Sequence, residues 1–247
     1  FRDSATTVDA AAVSAAADRQ RDLAASGAVT LAGIGPGPLM DLVEHWCGPE
    51  NAVFLRHDEP ELFAEVLELM HRSRMGHLRV LLPAMAADTF WLTENTSTTL
   101  ISPEMFRQCC MPHLRDYGDL VAAHGIIPVH HMCGTLNALL EDIDPLPALV
   151  NEAYTTRPVG NVSLDEGRRR MPSKSLWGGT NATLWLKPAE AIVAEVAADL
   201  ERCPDHRGIF LTSAGVLPPR VDLAKAQAVV AGLRELPWRG GATPARS

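Results

Sequence analysis

Aromatic residues are scarce, at 5% of the chain, so within a hydrophobic fraction of 47% the packing falls on Ala, Val and Leu. Positive charge is short as well. The formal net charge of −8 argues against a nucleic-acid partner, because phosphate binding needs a basic surface. Cysteines are few and odd in number, at 47, 109, 110, 133 and 203, with no paired framework; they read as reduced thiols of a cytoplasmic protein. The adjacent Cys109–Cys110 pair reads as helix packing. No uncharged apolar run is long enough to cross a bilayer, and no charged n-region precedes an apolar h-region, so neither a membrane span nor a signal peptide is expected. A Walker loop and a dinucleotide fingerprint are both missing. The stretch GIGPGP (33–38) lacks their lysine and spacing and reads as a turn.

What is present is an alternation. Short apolar runs at 28–34, 88–94, 126–132, 148–154, 175–181 and 208–214 are separated by amphipathic stretches with helix starts. Pro60 opens a face of Leu62, Val66, Leu69 and Ser73. Ser102 with Pro103 opens a face of Phe106, Cys110, Leu114, Tyr117 and Val121, with Pro112 expected to bend the helix. A further helix starts near Pro188, with Ile192, Val196 and Leu200 on one side. Strand–helix repetition predicts parallel strands with right-handed crossovers. Polar residues gather at the C-terminal ends of the strands: Glu94-Asn95, His131–Cys133, Glu152, Thr180-Asn181 and Thr212-Ser213. A doubly wound sheet concentrates such groups at one switch point, whereas a barrel spreads them over most strands. The fold class expected is therefore α/β, a (β/α)8 TIM-type barrel lacking its first one or two strands. It forms a single domain over 1–240, followed by a disordered tail at 241–247.

The stretch PVHHMCGTLNALLEDI (128–143) carries the densest chemistry. On a strand, His131 and Cys133 project together while His130 and Met132 project away. Imidazole plus thiolate suits zinc, but two ligands are one short of a catalytic site. A hydrogen-bonded strand-end histidine beside a buried thiol is the competing reading. Cys203 follows a helix and is placed at the wrong end; Glu152, ending the next strand, is the available third ligand.

HMCG after AHGIIPV, preceded by LISPEMFRQCCMPHLRDY, resembles the uroporphyrinogen decarboxylase superfamily, in particular its cobalamin-linked, zinc-dependent methyltransferase branch. NEAYTTRPVGNVSLDEGR (151–168), LWGGTNA (176–182) and IFLTSAGVLPP (209–219) are similar to further blocks of that superfamily, in order. The resemblance implies a barrel with zinc at its mouth, His131 and Cys133 being the first two ligands. The usual third is a cysteine in a pattern like S-P-G-C-x-x-P-P. Here Gly215 stands in its place, so Glu152 is taken as the substitute.

The reaction this implies moves a methyl group between a methylcorrinoid, carried on a partner protein, and a small thiol. Glu94, Asn95 and Asn181 are the candidate catalytic residues that orient substrate at the strand ends. Each of them also has an ordinary role open to it as a turn or cap residue. Two other classes stay open. One is a decarboxylase-like lyase on an acidic substrate, with Arg157 and Arg220 as cationic candidates; the other is a non-catalytic, truncated barrel that binds a partner, such as a second copy in a homodimer.

Overall fold

The computed structural model describes residues 9–219 and 221–240; the tail at 241–247 and Arg220 lie outside the described residues. The chain forms two compact units. One holds the described residues up to His131 together with Pro145–Leu149, and the other holds Met132–Asp144 and the described residues from Val150 onward.

The first unit runs α1 (Ala10–Ala25), β1 (Leu31–Ile34), α2 (Pro38–Asp41), α3 (Gly48–Asp58), α4 (Pro60–Leu81), β2 (Thr89–Thr93), α5 (Pro103–Met105), α6 (Met111–Ala123) and β3 (Ile127–His131). Its strands pair in parallel and in chain order, with Thr93 opposite His131 and Leu92 opposite His130. Ser102 caps α5 by accepting from Met105 N at 3.1 Å. A wide turn over Phe106–Cys110 then leads into α6. Pro112 sits in the first turn of α6, where a missing N–H costs nothing, so the interruption precedes the proline and does not follow it. The predicted α6 face is buried throughout.

The α4 face is one residue out of step with the expectation. Leu62 is exposed, and Phe63, Leu67, Met70, His71 and Leu78 are buried. The buried row offers larger side chains, and it turns His71 to Tyr117 (3.0 Å) and Arg74 to Asp41 (2.7 Å), contacts that an apolar pattern does not register.

The second unit runs α7 (Leu140–Ile143), β4 (Val150–Tyr154), α8 (Leu164–Arg170), β5 (Ser175–Gly178), α9 (Ala189–Arg202), β6 (Ile209–Leu211) and α10 (Leu223–Arg234). Its three strands are also parallel and in chain order. A reciprocal cap starts α8: Ser163 Oγ accepts from Glu166 N (3.2 Å), and Glu166 Oε2 accepts from Ser163 N (2.7 Å). Three arginines close it, complementing the helix dipole. Gly167 allows α8 to lie against the sheet, since a Cβ there would come within 2.7 Å of Leu176 Cδ1. Ile192, Val196 and Leu200 bury the predicted side of α9. Parallel strands alternating with helices make the fold α/β, built from the strand–helix steps of which a (β/α)8 barrel is composed.

Candidate functional site

β3 is buried from Pro128 to His130, and the chain leaves the strand after His131. His130 and Met132 are buried, and His131 and Cys133 are partly exposed. In the first unit, Asn95 follows β2 at a φ of 51°, a left-handed conformation that asparagine tolerates better than most residues. From there its N–H donates to the His131 carbonyl (2.9 Å), and its Nδ2 donates to Glu44 (3.1 Å). In the second unit, the Thr155 hydroxyl donates to the Cys133 carbonyl (3.1 Å), and Met132 N donates to the Glu152 carbonyl (3.1 Å). The backbones of all three sequence-predicted metal ligands are thus tied down, and each of the three residues is partly exposed.

The donor set of imidazole, thiolate and carboxylate is one that zinc accepts, and partial exposure leaves the side chains reachable. Among the described residues, however, no three His, Cys, Asp or Glu side chains stand together as a ready metal-holding group. At Gly215, where the resemblance expects a cysteine, nothing lies within 4 Å of an added Cβ, though its φ of 120° favours glycine.

Glu94 takes a different position from the one expected. The chain turns sharply after β2, with Glu94 N bonded to Leu92 O at 2.9 Å, and the side chain is fully buried. Its Oε2 accepts from Gly37 N at 2.6 Å, and the Cys110 thiol adjoins the carboxyl. Burial pushes its pKa up to about 7, against the opposing pulls of the Gly37 N–H, Cys110 and Arg74. Burial and the neighbouring carboxyl push the Cys110 thiol up in turn. Gly37 belongs to the GIGPGP turn, and its lack of a side chain is what admits the carboxyl. A Cβ at Gly37 would lie 2.8 Å from Oε2. Gly37→Ala is expected to destabilise the chain by about 1–3 kcal/mol in urea titrations, and by clearly less in a Glu94→Ala background; equal costs in both backgrounds would refute the contact.

Asn181 is buried and fully bonded: Oδ1 accepts from Leu184 N (2.9 Å) and Thr183 Oγ1 (2.7 Å), and Nδ2 donates to Arg157 O (2.8 Å). It shapes the turn after β5. Arg157 is held in a bidentate pair with Glu166 (2.7 and 2.9 Å), whose carboxyl it draws down to a pKa of about 2. Sequence reasoning missed Gly37, Cys110 and Arg74 as the surroundings of Glu94. The one available signal was the glycine-rich turn directly after β1.

The family model for uroporphyrinogen decarboxylase (URO-D) matches residues 6–236. The chain belongs to the URO-D family. A solved structure with the same fold is a methyltransferase from Methanosarcina mazei, with a TM-score of 0.69 and 21% identity. The match covers 87% of this chain and 62% of that one, so this URO-D chain spans under two thirds of the length of its structural neighbour. No curated protein matches it in sequence. Among the described residues, no helix is long and apolar enough to cross a membrane.

Proposed function

We propose that this URO-D chain is a methyltransferase that moves a methyl group between a corrinoid carried on a partner protein and a small thiol. The observation that carries the reading is that His131 and Cys133 are each partly exposed with their carbonyls anchored, the first by Asn95 N and the second by the Thr155 hydroxyl. The family membership and the methyltransferase fold neighbour support it. In the direction of thiol methylation, a sulfur–carbon bond forms as the cobalt–carbon bond breaks. The bonding pair stays on cobalt and the thiol proton leaves to solvent.

Zinc, held by His131 and Cys133 with Glu152 as the third candidate, would lower the pKa of the substrate thiol. The other residues act by position. Asn95 fixes the His131 carbonyl, Thr155 fixes the Cys133 carbonyl, and Asn181 holds the turn carrying Arg157. Glu94 is a positioning residue too, its fully buried carboxyl accepting from Gly37 N in the loop after β1. A lyase acting on an acidic substrate is the weaker reading, since Arg157 is already committed to Glu166.

The test uses methylcobalamin and mercaptoethanol, following the loss of the methylcobalamin spectrum and the appearance of the methyl thioether. Cys133→Ala is expected to slow transfer by at least about tenfold while leaving the far-ultraviolet spectrum unchanged. No transfer by the wild type together with its corrinoid partner, or an undiminished rate in Cys133→Ala, would set the reading aside.

A further inference from the structure

Away from the strand ends, the first unit carries a cavity of about 700 Å³ between α3, α4 and the wide turn that leads into α6. Its walls arise locally. Glu59 leaves helical geometry between α3 and α4 (φ −133°, ψ 62°), and Pro60 starts the chain in a new direction. The wide turn at Phe106–Cys110 sends two consecutive thiols to different surroundings: Cys110 adjoins the Glu94 carboxyl, and Cys109 lines the cavity. A turn of this type within a helix frequently marks a functional site. The lining is largely apolar, with Phe63 and Leu67 buried and Val53 47% exposed. Burial also keeps its weaker acids and bases uncharged. It draws the His113 imidazole down to a pKa of about 4, with help from neighbouring His71, and pushes the Cys109 thiol up.

One charged group of the cavity is held ready for a ligand. Arg56 Nη2 donates to Glu104 Oε1 (3.1 Å) and Gln108 Oε1 (2.7 Å), which fix the guanidinium in place. Its Nε and Nη1 donate to no protein group among the described residues, and the side chain is 32% exposed. The carboxylates nearby are already matched, Glu104 by Arg56 itself and Glu68 by Arg72 at 3.3 Å. A bare metal ion needs a cluster of donors, and the described residues hold none. A sugar or nucleotide would leave most of its polar groups unpaired against the apolar lining. An organic cation would meet the guanidinium. A molecule with an apolar body and a single carboxylate fits both parts, the body covering Phe63 and Leu67 and the carboxylate taking the idle N–H groups of Arg56. The volume is that of a small-molecule site. We propose that this cavity binds an apolar monocarboxylic acid, with its carboxylate on Arg56. The site uses none of the residues assigned to methyl transfer, so either assignment can fail without the other.

The experiment titrates the full chain with octanoate by calorimetry, using octanol and octylammonium as the uncharged and cationic counterparts of the same length. One saturable site for octanoate is expected, with both counterparts weaker by at least about threefold. Arg56→Gln should weaken octanoate about threefold to tenfold and bring it level with octanol. Ala64→Phe, at an exposed position of the lining, fills the cavity and should abolish binding in a protein that stays folded. Cys109 reports where the ligand sits: saturating octanoate should slow its alkylation by N-ethylmaleimide at least about threefold, read by peptide mass spectrometry. No saturable octanoate binding, affinity unchanged in both variants, or Cys109 alkylation unaffected at saturation would overturn the proposal. Concentration-dependent dimerisation that Ala64→Phe abolishes, seen by sedimentation, would give the cavity to a second copy of the chain and overturn it as well.

Discussion

At pH 8, Glu94→Gln is expected to be more stable than the wild type by up to about 3 kcal/mol, an advantage that vanishes near pH 4.5. The sign follows from where the proton sits. In the folded chain the carboxyl titrates at about 7, because burial opposes its charge, whereas its ordinary value is 4.5. Between those values the folded state holds a proton that the unfolded chain has released, so stability falls as pH rises through the window. Above pH 7 the ionised carboxylate is buried and the full cost is present. Glutamine keeps the shape, accepts the same bond from Gly37 N through its amide oxygen, and never ionises. Urea unfolding of both proteins at pH 5 and pH 8 checks the prediction, since groups common to both cancel in the difference. A difference that does not change with pH would mean that Glu94 is not held in a desolvated site.

Gly160→Ala is expected to abolish stable folding, at a cost above about 4 kcal/mol. A Cβ at this position would lie 1.9 Å from the Thr155 carbonyl oxygen and 2.8 Å from its carbon. Both are backbone atoms, so no side chain can swing aside to relieve the overlap. The tight turn that needs this approach bonds Gly160 N to Thr156 O (3.0 Å) and Arg157 N to Val162 O (3.1 Å). It also presents Asn161, whose Oδ1 accepts from Asn137 N at 3.0 Å in the loop that follows Cys133. Thermal unfolding of the purified variant, or its recovery only from the insoluble fraction, is the readout. A soluble Gly160→Ala protein with an unchanged melting temperature would contradict the geometry of this turn.

The fold was largely legible because its signals are local. All six apolar runs contain a strand, and Ser102 and Pro103 sit where capping arguments put them. The α4 face was not legible, because two neighbouring apolar rows on one helix differ little in pattern. The choice between them rests on polar partners, Tyr117 and Asp41, that are distant in sequence. The strand at 127–131 was legible in its apolar run, whereas the partial exposure of Cys133 was not, since that residue lies past the end of β3 where strand alternation no longer applies. The burial of Glu94 did not, since it depends on a sharp turn after Thr93 and on a glycine far upstream that leaves room for a carboxyl. Asn181 carried the same polar strand-end signal as the other candidates, yet its bonds all serve the turn. Residue type and position alone do not separate a substrate-facing amide from a structural one.

The measurement that bears most directly on the central claim is the metal content of the purified chain, taken on the wild type and on Cys133→Ala. About one zinc per wild-type chain, lost in the folded variant, is the predicted result. A folded wild type that binds no zinc when supplied with it would contradict the account and leave the His131–Cys133 strand end as a structural feature of a URO-D fold.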